Sequence, residues 1–200
     1  MPRIPALEGE PTDIIVAEVL AFAEKYGAPG PEMARVTAQT RTTAYLMKAW
    51  TRLHFGGVLP HRLKELVRIR LSVVATCGYC SSIQTDRSKT EGLSDTIVDE
   101  MMDFEASANI SEREKVALRY ADKFEADTIA SDEVYEELGR QFDTEEILEL
   151  GMLCALTMGM GRFARSVDVR TWEQACAIKP SLTGLKTGID SAVEAAAAAS

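Results

Sequence analysis

A chain of 200 residues with 46% hydrophobic side chains can bury roughly 70% of its unfolded surface, enough for one core without disulfide or metal staples. Its 22 basic and 31 acidic residues leave a net charge of −9, which excludes a global electrostatic attraction to nucleic acid or anionic lipid. The opening MPRIPALEGEPTDII lacks a charged n-region followed by an apolar h-region, and no continuous apolar run approaches the roughly 18 residues of a membrane span, so a cytoplasmic location with no membrane and no nucleic-acid partner is expected.

Helical signals dominate along the chain. PTDIIVAEVLAFAEKYGAPG offers Thr12 or Asp13 as N-cap, an apolar face through Ile15, Val19, Phe22 and Tyr26, and a Gly and Pro stop, which predicts a helix of roughly 13 residues. PEMARVTAQTRTTAYLMKAWTRLHFGG is a second helical stretch or pair, ended by Gly56 and Gly57. LSDTIVDEMMDF starts on Ser94 as cap and places Ile97, Met101 and Met102 on one side. SEREKVALRYADKFEAD carries a capping box, Ser111 with Glu114, ahead of Val116, Leu118, Tyr120 and Phe124. SDEVYEELGRQFDTEEILELGMLCALTMGMGRFARSVDV predicts two more helices divided near Asp143. The closing DSAVEAAAAAS reads as a frayed helix or a disordered tail. The organisation expected is one helical domain over 1–178 and an alanine-rich C-terminal tail over 179–200.

LVRIRLSVV is ambiguous, because Val67, Ile69, Leu71 and Val73 alternate with Arg68, Arg70 and Ser72 at the period of a half-buried strand. A strand leading into a C-x-x-C pair would suggest a thioredoxin-like fold. Yet Leu63, Leu66, Val67, Arg70 and Val74 also fit one helical stripe after Pro60, and no other stretch reads as a strand partner, so a helix is expected.

Cys77 and Cys80 follow at once. In a reducing setting a close pair is catalytic or metal-binding before it is structural. Zinc needs four ligands, whereas the chain has only His54 and His61 and two unpaired cysteines, Cys154 and Cys176. The bland alternative is two buried cysteines acting as small apolar residues. Against it, Gly78 and Tyr79 mark a break where a following helix begins, and amides at a helix N-terminus stabilise the reactive thiolate. The spacing also lets the sulfurs close a disulfide with little backbone movement.

LPHRLKELVRIRLSVVATCGYCSSIQ resembles the core of the carboxymuconolactone decarboxylase superfamily, in particular its alkylhydroperoxidase D (AhpD-like) branch, whose pattern is a glutamate, eleven residues, then C-x-x-C-x-x-x-H. Glu65, Cys77 and Cys80 match that pattern, TEGLSDTIVDEM and SEREKVALRYADKF resemble its later elements, and the similarity spans roughly residues 30 to 168. The resemblance implies an all-α, AhpD-like fold that forms homo-oligomers, as a trimer or hexamer. It further implies thiol peroxidase chemistry: Cys80 attacks a small-molecule hydroperoxide, Cys77 resolves the sulfenic acid as a disulfide, and a lipoyl-bearing or thioredoxin-like partner reduces it. Glu65 would act through a proton relay, and no metal or organic cofactor is required.

One position departs from the pattern. Gln84 stands where the family has histidine, and a carboxamide can hydrogen-bond but cannot serve as a general base, a role typically worth about 10²- to 10⁴-fold. If the relay is otherwise intact, Gln84→His is expected to raise the peroxidase rate at least about tenfold. Along an unbroken helix Glu65 would lie about 18 Å from Cys77, so the link between them requires a bend or a helix that folds back. His54 and His61 read as cap, surface or core residues, and Tyr79, Trp50 and Trp172 as packing. The methionines of GMLCALTMGMGRF are expected to fill core or subunit contacts, and Arg162 and Arg165 to complement a helix end. Two other functions stay open: a carboxymuconolactone decarboxylase-type lyase acting on a small carboxylated compound, and a non-catalytic redox-sensing oligomer.

Overall fold

The computed structural model describes residues 2–126 and 131–198. Among these residues every regular element is a helix, so the all-α class is observed. In chain order they are α1 (Ile14–Tyr26), α2 (Pro31–Thr37), α3 (Arg41–Phe55), α4 (His61–Val74), α5 (Gly78–Ser82), α6 (Asp86–Thr90), α7 (Asp95–Glu100) with a 3-10 turn (Met101–Asp103), α8 (Glu112–Glu125), α9 (Asp132–Gly139), α10 (Thr144–Ser166), α11 (Trp172–Ile178) and α12 (Leu182–Ala198).

Local sequence sets many of these ends. Asp13 caps α1 by accepting from the amides of Ile15 and Val16, and Gly27 closes it in the left-handed region at φ 68°. Ser94 caps α7, and capping boxes join Ser111 to Glu114 at α8 and Asp143 to Glu146 at α10. The face of α1 differs from expectation. Val16, Val19, Leu20 and Ala23 are buried, while Phe22 and Tyr26 turn to the ring of Phe55, with centroids 5.2 and 5.7 Å away. A helix apolar on more than one side does not reveal its buried face by period alone.

Helix α4 is the axis of the molecule. It packs against α8 and α10 in the main core, and Leu63, Leu66, Val67, Ile69, Leu71 and Val73 are each at most 2% exposed. Burial of such side chains stabilises by about 1.5–3 kcal/mol apiece before entropy is counted. The strand-like alternation has its explanation here. α4 is enclosed on nearly all sides, so most of its polar residues are buried, Arg70 is partly so, and they survive by pairing. Arg70 is fork-bonded to Asp122 at 2.7 and 2.8 Å, and Ser72 donates to the carbonyl of Arg68 at 2.7 Å. Fully buried Lys64 donates to the carbonyls of Leu53 and Gly56 and pairs with Glu149.

A second cluster joins α1, α2 and α3 through Val16, Val19, Leu20, Ala34, Ala44 and Met47. α10 is long and apolar enough to cross a membrane by length and composition alone, but Leu150, Leu153, Cys154 and Met158 put one of its faces in the core of the bundle. The alanine-rich C-terminal segment is helical through Ala198, and Leu182 and Leu185 anchor its first turns in the main core. Residues 199–200 lie outside the described residues.

Candidate active site

The chain reverses between α4 and α5. Thr76 sits at φ 53°, a region that a β-branched residue adopts only under local strain. Arg165 holds it there, its Nη1 donating to Thr76 Oγ1 at 2.7 Å and to the carbonyl of Ala75 at 2.9 Å. Arg165 is thus a clamp on the turn as well as a cation in the last turn of α10. Cys77 then caps α5, its Sγ accepting from the amide of Cys80 at 3.2 Å. Gly78 follows where a Cβ would lie 2.6 Å from the amide nitrogen of Trp172, so the close approach of the segment entering α11 requires glycine at this point.

Cys77 and Cys80 are joined as a disulfide across a Cα–Cα distance of 5.4 Å. The two sulfurs are not equivalent. Cys77 is 1% exposed, whereas Cys80 is half-buried and lines a cavity of about 50 Å³ with Met33, Trp50, Tyr79, Ile83 and Met160. Burial keeps the Tyr79 phenol protonated far above its ordinary range, and its oxygen accepts from the amide of Met33 at 3.3 Å. Tyr79 therefore packs, as its sequence context suggested.

Glu65 lies completely buried one layer behind the dithiol. Its carboxylate accepts from His54 Nε2 at 2.7 Å, Arg68 Nε at 2.7 Å, the amide of Thr85 at 3.1 Å and Ser88 Oγ at 3.3 Å. Burial alone would raise its pKa, but the charge of Arg68 and the bonds from His54 and Arg68 outweigh it and hold the carboxyl well below the usual range. Arg68 in turn donates to the carbonyl of Cys80 at 2.6 Å and to that of Ile83. The sequence left a gap of about 18 Å between glutamate and cysteine. A helix folded back on α4 closes it, with Arg68 as the bridge.

His54 is buried and unprotonated at neutral pH, because desolvation lowers its pKa to about 4 against the raising influence of Glu65. With Glu65 ionised, the proton of neutral His54 sits on Nε2, and Nδ1 is left buried without a partner. His61 Nδ1 donates to the carbonyl of His54 at 3.1 Å, and its Nε2 bonds Thr85 Oγ1 at 2.7 Å. Both histidines are thus buried members of one network rather than surface residues. A group whose folded pKa is depressed contributes stability above its unfolded pKa and loses it as pH falls through the folded one. For His54 the window runs from about 6.5 down to about 4, and the loss is of order 3 kcal/mol. Urea midpoints should fall across that window, and a flat profile would show that His54 is not held neutral.

The ligand atoms of His54, His61 and Glu65 lie within 4.8 Å of one another, a spacing that could suit a cation. The guanidinium of Arg68 already supplies the positive charge on that carboxylate, so the donor set does not favour a metal.

Gln84 faces elsewhere. Its Nε2 donates to the carbonyl of Leu93 at 2.7 Å, and its Oε1 accepts from Lys179 Nζ at 2.6 Å, a lysine that also pairs with Asp95. It lines a separate depression with Leu93 and Asp95, not the cavity at Cys80. The structure therefore brings together Cys77, Cys80 and, through Arg68, Glu65, and leaves Gln84 apart. The tenfold gain expected of Gln84→His needs a side chain that gives up both of these bonds and turns around. Arg68 and Thr157 are among the cavity residues that sequence reading missed. The signal for Arg68 was its i, i+3 spacing from Glu65, and Thr157 carried none.

An all-helical bundle that presents a C-x-x-C dithiol at the mouth of an apolar cavity defines a class of small helical dithiol proteins. Within that class, residues 38–123 match the model of the carboxymuconolactone decarboxylase family. No curated protein sequence matches the chain significantly. Solved structures share the fold. A peroxidase-related protein with an AhpD core from Ralstonia eutropha JMP134 has a TM-score of 0.69 at 18% identity, covering 87% of this chain and 96% of that one. A protein of unknown function from Agrobacterium tumefaciens, a candidate antioxidant-defence protein AhpD, has a TM-score of 0.58 at 24% identity over 66% of this chain and 90% of that one. The debrominase Bmp8, as a cysteine-to-alanine variant in complex with 2,3,4-tribromopyrrole, has a TM-score of 0.70 at 16% identity over 90% of this chain and all of that one.

Proposed function

We propose that the protein is a dithiol oxidoreductase that reduces organic hydroperoxides, with Cys80 as attacking thiol and Cys77 as resolving thiol. The observation that carries this reading is the asymmetry of the pair: Cys80 opens on a cavity while Cys77 is sealed beneath it within disulfide reach. The Cys80 thiolate attacks the terminal oxygen of the hydroperoxide, the O–O bond breaks, and the alkoxide takes a proton and leaves as an alcohol. Cys77 then displaces hydroxide from the sulfenic acid, releasing water and closing the disulfide. An external dithiol of the lipoyl or thioredoxin type, in a reducing compartment, restores the pair by exchange.

Gln84 supplies no base, so thiolate formation rests on the surroundings of Cys80. It lies in the first turn of α5, and the guanidinium of Arg68 is bonded to its own carbonyl. A cation fixed at the backbone of the attacking residue favours the charged sulfur, while the α5 amide that reaches a sulfur is bonded to Cys77. Glu65 is a positioning residue in this reading, because a carboxylate held so far below the usual range is a poor acceptor of protons at neutral pH. The test is the rate at which the fully reduced protein consumes an organic hydroperoxide, compared with a free thiol. A rate no faster than the free thiol would favour the redox sensor. A decarboxylase that survives loss of both cysteines would identify the lyase. A brominated pyrrole, the ligand of the debrominase of similar fold, is the competing electrophile to assay beside it.

Self-association belongs to the same reading. On α10, Leu148 and Met152 lie one turn apart and are 65% and 55% exposed, an apolar stripe beside the buried face that fits a second copy. Light scattering should give the mass of a trimer or hexamer, and a monomer at micromolar concentration would remove this part.

A further inference from the structure

We infer that Gly161 is the specificity-determining residue of the dithiol: the place its side chain would take is the space in which the reacting group meets Cys80 Sγ, so the glycine sets how bulky a reactant the sulfur accepts. The inference rests on the function proposed above and names the residue that selects among reactants at that site. Gly161 is buried in the body of the 23-residue α10 and lines the cavity together with Cys80. A glycine inside a helix is unfavourable relative to alanine, because it gives up more chain freedom on folding and packs no side chain. Such a position needs a reason. Backbone conformation is not the reason, since the glycines of positive φ are Gly9, Gly27, Gly57 and Gly92. Crowding is not the reason either. At Gly30 an added Cβ would lie 2.3 Å from Tyr79 Oη, and at Gly78 2.6 Å from the amide nitrogen of Trp172, so close packing requires both of those glycines. A Cβ on Gly161 would meet, outside its own helix, only Cys80 Sγ, at the ordinary contact distance of 3.8 Å. Alanine would fit there, and what it would cover is the open face of the sulfur.

The space has the size and the place that the chemistry needs. A water-sized group requires roughly 10–15 Å³, so the cavity of about 50 Å³ holds about three to five of them. A methyl in van der Waals contact with the sulfur leaves no gap for an oxygen between the two. Its effect grows with the reactant. Hydrogen peroxide brings two oxygens and can turn within what is left, whereas tert-butyl hydroperoxide must also seat a branched carbon in the same cavity. In both cases the thiolate of Cys80 bonds the terminal hydroxyl oxygen, the O–O bond breaks, and the departing oxide takes a proton from solvent and leaves as water or an alcohol. Gly161 exchanges neither proton nor electron. It acts by shape alone.

The experiment is a single turnover of the fully reduced protein with hydrogen peroxide and with tert-butyl hydroperoxide, for the parent, Gly161→Ala and Gly159→Ala. Gly159 lies on the same helix, is exposed, and an added Cβ there meets nothing within 4 Å, so its replacement reproduces the gain in helix propensity without touching the sulfur. Gly161→Ala should slow tert-butyl hydroperoxide at least about tenfold and hydrogen peroxide at most about threefold, since a displacement of about 1 Å at a reacting centre costs up to about a hundredfold. The same variant should melt about 1–4 °C higher than the parent. Gly159→Ala should share that rise and keep the parental rates. Parental rates in Gly161→Ala, or a loss shared equally by the two peroxides, would overturn the inference. So would an equal loss in Gly159→Ala, or a lower melting temperature of Gly161→Ala, which would show that packing requires the glycine. Iodoacetamide separates the inference from the function, because it alkylates a thiolate without being a peroxide. If Gly161→Ala slows alkylation of Cys80 at least about tenfold while the parent consumes hydroperoxide no faster than a free thiol, the role of Gly161 stands and the function falls. If the parent consumes tert-butyl hydroperoxide through Cys80, and Gly161→Ala consumes it and is alkylated at parental rates, the function stands and the role of Gly161 falls.

Discussion

Replacing Cys80 with serine is expected to lower hydroperoxide consumption by the reduced protein at least about a thousandfold, because a serine hydroxyl is neither ionised nor soft enough to attack peroxide oxygen. The loss should come without unfolding, since Cys80 is half-buried at a cavity wall and serine is nearly its size. Cys77→Ser should behave differently. Its Sγ is sealed under α5, so the first attack persists at close to the parental rate, one equivalent of hydroperoxide is consumed, and turnover stops at a sulfenic acid that mass spectrometry detects. The roles assigned to the two thiols would be reversed if Cys77→Ser abolished the first oxidation and Cys80→Ser allowed it. Consumption that survives both substitutions would end the dithiol reading altogether.

Glu65→Leu is expected to destabilise the fold by about 3–5 kcal/mol, the usual cost of leaving a buried charge without its partner. The charge is Arg68, itself 4% exposed, and the amide of Thr85, Ser88 Oγ and His54 Nε2 would lose their acceptor at the same time. For a domain of this size the melting temperature should fall by roughly 6–20 °C. Glu65→Gln keeps the shape and one acceptor oxygen and should cost less. The double variant Glu65→Leu with Arg68→Met should recover much of the loss, because a buried pair replaced by apolar residues of similar volume is often neutral. Thermal and urea melts of the reduced proteins decide this. A loss below about 1 kcal/mol for Glu65→Leu would show that Arg68 finds solvent or another anion, and that the network behind Cys80 is not rigid.

The helix boundaries were legible wherever a short-range rule governs them. Ser94 and Ser111 cap the helices expected of them, Asp13 is the one of two candidates that caps α1, and Asp143, near the expected division, caps α10, since a cap concerns only the next three residues. Faces were less legible. Phe22 and Tyr26 were assigned to the buried side of α1 but meet Phe55, because the partner that covers a helix is set by the path of the chain after Gly56. The alternation in α4 imitated a strand because Arg68 and Ser72 are buried there and Arg70 partly so, which only their partners Glu65, the carbonyl of Arg68 and Asp122 make tolerable.

The sequence by itself determined the helical class and the position of the dithiol at a helix start, because each depends on residues near in the chain. Tertiary structure alone decided which sulfur faces a cavity, that Gln84 turns to Lys179, that Arg68 carries the link from Glu65 to Cys80, and that Thr157 joins the cavity from α10. These are distances between segments brought together by packing. Burial then fixes the neutrality of His54, while Arg68 and His54 hold the charge of Glu65 against burial, and no spacing in the sequence encodes how far a side chain will be removed from water.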